Sequence, residues 1–416
     1  MTERLNVWWG SRLVGVIHRA GKVQMSFAYA PDWLLSPDTF ALSLSLPLQN
    51  DPFSWEATRA FFDNLLPELD VRQRVGKRLQ VSPRQAFALL ERLGAECAGA
   101  LSILPEAELP VPPQDQRYEK IDRKLLSLLI QEIPRRPLLA GEEGMRLSLA
   151  GAQPKLPVVK DGNSWLLPLN GAPSTHILKP PIADLPESVE NEAFCMFLAR
   201  AMELDVPDVE LTDTRPRGYL VQRYDRKISP QGIVRLHQED FCQALGLPPE
   251  VKYENDGGPA LKDCFHVLTH CRETAKDQEK LLRLCVFNFL IDNTDAHAKN
   301  LSLLYDTPGA PRLAPFYDLI CISVYPGMAW KLAMRIGGQY DPQFIMKRHW
   351  ERLGTLVGWS ALGTVDLVRE MAERMLRLGS TPAEVFCKRY GESPVVRRIS
   401  HNVRTRCRTT LERLSD

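Results

Sequence analysis

The stretch Phe287–Tyr305, FNFLIDNTDAHAKNLSLLY, sets Asp295, His297, Lys299 and Asn300 between two apolar flanks. Polar groups in a segment bound for the interior cost free energy unless they are paired or put to use. Asp295 and Asn300 stand in the pattern D-x-x-x-x-N. A carboxylate there can take a hydroxyl proton and an amide oxygen can hold a metal ion, the spacing of a phosphotransferase catalytic loop. The His-Arg pair that usually precedes such an aspartate is absent. A capped turn after a helix ending near Asn293 would account for the same residues, so the rest of the chain has to decide.

Working outward, LAPFYDL (313–319) reads as a short apolar strand that delivers Asp318 at its end. A second carboxylate there suits Mg²⁺, which prefers hard oxygen ligands and bridges nucleotide phosphates; the plainer reading is an Asx turn or helix cap. In STHILKPP (174–181), Lys179 closes a strand before a proline pair, placed to balance α and β phosphates or simply to guard a sheet edge. The next helix, ESVENEAFCMFLARAM (187–202), carries Glu190 on its apolar face and Glu192 nearly opposite, so periodicity favours Glu190 as the partner of Lys179. SLAGAQPK (148–155) is no Walker loop. Its small residues would still let backbone N–H groups approach phosphates, where an ordinary hairpin turn is the alternative. Each piece is weak alone. Small-residue loop, Lys, helical Glu, D-x-x-x-x-N and strand-end Asp nevertheless follow the order of a protein kinase.

The organisation agrees. Alternation over Leu5–Trp9 and Leu13–Ile17 around Gly10-Ser11 predicts a hairpin, and apolar spacing over Trp55–Leu66 and Pro83–Leu93 predicts helices. The proline-rich LPEAELPVPPQDQ marks a boundary, giving an N-terminal α+β subdomain at 1–107. A short helix is expected at Ile121–Ile130. Strands are expected at Arg146–Ala150, Lys155–Val159, Ser164–Leu167 (across an Asp161-Gly162-Asn163 turn), His176–Lys179, Val209–Thr212 and Gly218–Arg223, making 108–231 a sheet-rich N-lobe. Helical periodicity dominates 232–416, an all-α C-lobe, with helices over Ala260–His270, Gln278–Ile291, Pro342–Leu353, Ala361–Leu378 and Val395–Leu414. The expected class is α+β, a two-lobed kinase-like fold with an extra subdomain. Lys and Arg number 52 against 51 Asp and Glu, so the whole molecule is no electrostatic nucleic-acid binder. Nine scattered cysteines without C-x-x-C predict reduced thiols. With no signal-peptide pattern at MTERLNVWWG and no apolar run of membrane length, the expectation is a soluble cytoplasmic protein without a membrane partner.

The motifs AYAPDWL, LSLSLPLQ, FFDNLLPE, SLAGAQPK, HILKPP, ENEAFC, QEDFCQALGLP, VKYENDGGP, TDAHAKN, PFYDL and WKLAM span nearly the whole chain. Together they resemble the HipA family of bacterial toxin serine/threonine kinases. The resemblance implies ATP and Mg²⁺ as cofactors, Asp295 as the catalytic aspartate, Asn300 and Asp318 as Mg²⁺ ligands, and Lys179 as the phosphate-pairing lysine. It implies a flexible phosphate loop made by Ala150, Gly151, Ala152, Gln153, Pro154 and Lys155, and a hinge for adenine at Gln222, Arg223 and Tyr224. His297, Ala298, Lys299 and Tyr317 join the nucleotide set. Ser148 resembles the autophosphorylated serine whose modification ejects the loop and switches such enzymes off. Gln222 stands where a Glu is familiar, and Pro154 replaces a common Glu. The resemblance further implies an aminoacyl-tRNA synthetase target, typically the glutamyl enzyme, whose inhibition gives dormancy. It also implies a HipB-like helix-turn-helix antitoxin that carries the operator DNA contact.

Other features read as structure. CFHVLTHC (264–271) offers two Cys and two His, but Cys264 and His266 are about 200° apart on a helix, so a packed helix is preferred to a zinc site. His297 reads as a hydrogen-bonding scaffold. Arg397, Arg398, Arg404, Arg406, Arg408 and Arg413 read as a solvated face, with phosphate contact the exception. Trp8 and Trp9 read as core or antitoxin contacts. Two other functions compete: a catalytically weak corepressor that acts by binding a DNA-binding antitoxin, and a small-molecule kinase.

Overall fold

A computed structural model describes residues 3–415 except Lys22, Asn163, Gln231, Pro308 and Ala329; the expected turn residue Asn163 therefore lies outside the described residues. The chain divides into two compact units. One comprises Met1–Pro180, Thr212–Glu250 and Ser302–Pro311, the other Pro181–Leu211, Val251–Leu301 and Arg312–Asp416.

The first unit holds two larger antiparallel sheets and two short strand pairs. In one, strands Gln24–Tyr29, Arg12–Ala20, Arg4–Trp9 and Leu101–Pro105 lie side by side in that order. Alternation puts Leu5, Val7, Ile17 and Phe27 inward, and a register shift after Val7 lets Val14 be buried too; helices Trp55–Phe62 and Ala86–Leu93 cover this face with Phe61, Phe62 and Leu90. Trp9, half-buried, packs against this core, stacked on Trp33 at 6.3 Å and edge-on to Phe40 at 4.3 Å. The second sheet runs Arg117–Ile121, Ser164–Leu169, Leu156–Asp161, His176–Lys179, Tyr219–Gln222. Helix Arg123–Glu132 packs Leu126, Leu129 and Ile130 against Leu156, Val158, Leu178 and Leu220.

One strand expectation and one helical expectation fail here. Arg146–Ala150 is not a strand: Leu147 makes a single bridge to Glu96, and the following backbone and side chain bond to loops. After Gly232 the chain is not purely helical, since Gly232–Arg235, His237–Asp240 and Ser302–Tyr305 are short strands, the last two paired. Four residues carry too little alternation to register against longer helical patterns.

The second unit is helical, built on Ser188–Ala201, Thr274–Leu290, Lys347–Leu356, Ala361–Leu378, Thr381–Tyr390 and Pro394–Ser415. Rings pin it together, Phe194 against Phe386 at 5.5 Å and Phe289 against Trp350 at 5.2 Å. Helix Ser188–Ala201 is buried around nearly its whole circumference, so Glu190 and Glu192 are both buried. Periodicity therefore does not separate them as an exposed and a buried carboxylate. LAPFYDL is a correction too. Only Arg312–Leu313 is a strand, because Pro315 lacks an N–H for a ladder and the Phe316 N–H is taken by the Asp205 carbonyl at 2.7 Å. No helix among the described residues is long and apolar enough to cross a membrane.

Candidate active site

The helix Thr274–Leu290 ends in a left-handed turn that aims the segment behind it. Asp292 takes φ 57°; its N–H donates to the Phe289 carbonyl at 3.3 Å, and the Asn293 N–H donates to the Asn288 carbonyl at 2.8 Å. This is the Schellman closure, which usually uses glycine at the left-handed residue. Here Arg406, from helix Pro394–Ser415, holds the aspartate, with Nε and Nη2 at 2.8 and 2.6 Å from Oδ1. Arg406 is thus no member of a solvated face.

Beyond the turn the chain folds back on itself. The His297 N–H donates to the Asp295 carbonyl at 2.8 Å, the Asn300 N–H to the His297 carbonyl at 2.9 Å, and Asn300 Nδ2 to the Asp295 carbonyl at 3.2 Å. The five-residue offset therefore closes one turn and sets the Asn300 amide oxygen at its other end. The Tyr253 hydroxyl donates to Asp295 Oδ1 at 2.7 Å, and its ring meets the His297 ring edge-on at 5.0 Å. Ala298 and Lys299 are buried, and the Tyr317 hydroxyl donates to the Lys299 carbonyl at 2.8 Å.

Asn288, Asn293, His297, Asn300, Tyr317 and Asp318 supply the polar wall of a cavity of about 570 Å³, including its open mouth, whose other side is apolar. Asp318 sits at φ 60°, the left-handed conformation that Asp and Asn adopt more readily than other side chains. The residues fit Mg²⁺. Asn300 spends its N–H donor on Asp295 and keeps an amide oxygen, and it shares a cavity wall with the Asp318 carboxylate. An amide oxygen and a carboxylate are the hard donors Mg²⁺ takes along with water and phosphate. Among the described residues no group of three or more His, Cys, Asp or Glu could hold a metal. In CFHVLTHC, Cys264 is buried against Met334 while His266 and His270 are exposed.

In the first unit the loop Ser148–Lys155 is tied down. Ser148 is fully buried (0% exposed); its Oγ donates to the Leu65 carbonyl and its N–H to the Glu96 carbonyl, both at 2.8 Å. Lys155 Nζ donates to the Ala150 carbonyl at 2.6 Å. Gly151 is required: it has φ +110°, and a Cβ there would lie 2.6 Å from that ammonium. Gln153 Nε2 reaches the Pro180 carbonyl at 3.5 Å, and Ala152 and Pro154 lie in the same loop. Lys179 is buried at its strand end, paired with Tyr219, its Nζ 5.5 Å from that ring.

The hinge trio divides. Gln222 and Tyr224 are half-buried, and the Tyr224 hydroxyl bonds Gln238. The Arg223 guanidinium is no adenine contact. It is buried on Glu96 (2.9 and 3.1 Å), Asp225 (3.0 and 2.8 Å), Ser174 Oγ and the Cys97 carbonyl. Arg226 also reaches Glu96 at 2.7 Å. Burial alone would raise the Glu96 carboxyl; Arg223, Arg226 and Arg235 outweigh it and hold the group below its usual range. Asp225 is held down in the same way by Arg223 and Arg226. Sequence spacing missed Glu96, Tyr253, Asp292 and Arg406, because each acts on residues distant in the chain.

Two family models match: the HipA N-terminal domain over residues 5–104 and the HipA-like C-terminal domain over residues 147–379. Y4mE of Sinorhizobium fredii, a protein named as a kinase, is 49% identical over 81% of this chain and 82% of its own. The serine/threonine-protein kinase toxin HipA of Shewanella oneidensis is 32% identical over 76% of this chain and 74% of its own. A solved structure of S. oneidensis HipA with HipB and its operator DNA superposes with a TM-score of 0.85 at 26% identity, covering 99% of this chain and 98% of that one. The α+β architecture, the paired domain models and these relatives agree: the chain belongs to the HipA family of serine/threonine-protein kinase toxins.

Proposed function

We propose that the chain is an Mg-ATP-dependent serine/threonine protein kinase that phosphorylates itself and a protein of the translation machinery. The observation that carries this reading is the single turn Asp295–Asn300, whose amide shares one cavity wall with Asp318. In the proposed transfer a serine Oγ forms a bond to the γ-phosphorus, the bond from that phosphorus to the β–γ bridging oxygen breaks, and Asp295 orients the hydroxyl and takes its proton. Asn300 and Asp318 hold Mg²⁺, which when bound neutralises charge on the β and γ oxygens. Lys179 balances the α and β phosphates, and the backbone of Ala150–Lys155 with the Lys155 ammonium serves as phosphate loop. Gln222 and the main chain of Arg223 and Tyr224 form the adenine hinge, with His297, Ala298, Lys299 and Tyr317 beside the nucleotide. The proposed parts are 1–107, 108–231 and 232–416.

Ser148 is proposed as the self-inactivating site. Its pocket has no room for a dianion, so a phosphoryl group there would break the bonds to Leu65 and Glu96 and expel the loop. The target proposed from family membership is an aminoacyl-tRNA synthetase of glutamyl type, in the cytoplasm, with growth arrest as the outcome. The neutralising partner is proposed as a HipB-like helix-turn-helix antitoxin through which operator DNA is reached; a solved S. oneidensis structure holds HipA, HipB and operator DNA in one complex. Purified chain, Mg-ATP and the host glutamyl-tRNA synthetase should yield one phosphoserine on the synthetase and lost aminoacylation. Aminoacylation unchanged after full incubation, with the chain labelling itself, would remove that target.

A further inference from the structure

The geometry points to Tyr253 as a positioning residue for the phosphoryl transfer, acting through its hydrogen bond to Asp295. The inference rests on the kinase reading above and deepens it. Tyr253 lies 42 residues before Asp295, and its hydroxyl donates to Asp295 Oδ1 at 2.7 Å. A charge-assisted bond of this kind directs one oxygen of the carboxylate and helps to select its rotamer.

The phenol is itself held from three directions. Its ring abuts His297 edge-on at 5.0 Å. On one side the Lys252 carbonyl accepts from the Ala298 N–H at 3.4 Å; on the other the Glu254 N–H donates to the Ala333 carbonyl at 3.2 Å, while the Ala333 N–H donates to the Thr294 carbonyl at 3.0 Å. The Glu254 carboxylate takes both the Arg335 N–H and Nε at 2.6 Å. Segments 252–258, 294–300 and 332–336 thus interlock around Asp295, and Tyr253 is the side chain they aim at its carboxylate. A general base works only when its oxygen meets the acceptor hydroxyl at hydrogen-bond range, and a misplacement of about 1 Å costs on the order of 100-fold. Tyr253, like Asp295, is not part of the cavity wall, and its hydroxyl bonds the carboxylate, so its contribution is expected in the chemical step more than in nucleotide affinity.

The test is Tyr253→Phe, which keeps the ring against His297 and removes only the donor. Radiolabelled γ-phosphate transfer onto the chain, with slow ATP hydrolysis as a second acceptor reaction, is compared in wild type, Y253F and D295N. The expected result is a rate constant about 10- to 100-fold lower in Y253F for both acceptors, with KM for ATP and affinity for ADP within about twofold of wild type. An unchanged rate constant overturns the inference. So does a loss that tracks an equal loss of ADP affinity, which would mark Tyr253 as packing. A wild type that transfers to neither acceptor, or a D295N as active as wild type, defeats the kinase reading and this inference with it.

Discussion

Replacing Arg406 with Met should loosen the segment Asp292–Asn300 from a distance of 114 positions in sequence. Two nitrogens of Arg406 share Asp292 Oδ1, Nη1 reaches the Pro342 carbonyl at 3.3 Å, and the guanidinium lies 5.3 Å from the Phe289 ring. Breaking a buried pair costs about 3–5 kcal/mol. The side chains here are 17% and 9% exposed, and solvent screening reduces the expected loss to about 2–3 kcal/mol. Asp292→Gly should cost less, about 1 kcal/mol or under, because glycine suits φ 57° and leaves no orphaned carboxylate. The double variant should lie below the sum of the two, with a coupling of about 1–2 kcal/mol. Native-state hydrogen exchange reads this locally. Amides of residues 292–300 should exchange about 30- to 150-fold faster in R406M, and adding D292G should recover much of the protection. Less than threefold acceleration, or strictly additive single and double variants, would refute the claim that Arg406 secures the left-handed turn.

Three further outcomes follow from the same contacts. Glu96→Gln leaves Arg223 and Arg226 facing Asp225 alone and takes from Arg235 the carboxylate that supports its charge, and urea unfolding should show a loss of about 3–5 kcal/mol; under 1 kcal/mol would mean the network is solvated. Burial raises the Glu239 carboxyl to about 7 against Ser43 and Tyr305, which lower it. Its folded pKa thus lies above its unfolded one, so its stabilisation is complete below about pH 4.5 and is lost as pH rises through about 7, on the order of 3 kcal/mol in all. Stability measured from pH 5 to 8 should fall in wild type and fall less in Glu239→Gln; parallel profiles would count against it. His237, pushed down to about 4 by burial, acts oppositely in acid and is common to both proteins. Ser148→Asp should abolish ATP binding and raise proteolysis within residues 148–155, whereas Ser148→Ala should bind ATP normally; wild-type ATP affinity in S148D would refute the buried-switch account.

Much of the fold was legible where apolar periodicity runs cleanly between turn residues. Helix Ala361–Leu378 and strand His176–Lys179 match the expected bounds residue for residue. The first hairpin pairs as Gly10-Ser11 required. The short strands Gly232–Arg235, His237–Asp240 and Ser302–Tyr305 escaped, as did strand Gln24–Tyr29 and the helices Leu69–Leu79 and Thr381–Tyr390. Helix Ser188–Ala201 defeats periodicity for a physical reason, since a segment covered on all sides has no face to detect. At the site, D-x-x-x-x-N was readable because its chemistry is local, one turn closed by Asn300 on Asp295. Tyr253 on Asp295, Arg406 on Asp292 and Arg223 on Glu96 were not, because tertiary pairing sets them and no spacing encodes it. Asp318 was found for its residue type and misplaced in its backbone, which is a left-handed turn and not a strand end.

The most direct test of the central claim is intact-mass analysis with site mapping, on wild type and Asp295→Asn shown to start unmodified, after incubation with Mg-ATP. One added phosphate on wild type at Ser148, and none on D295N, is the predicted result. No phosphate on wild type, or equal phosphate on both proteins, would contradict the kinase assignment and favour a chain that acts by binding its antitoxin.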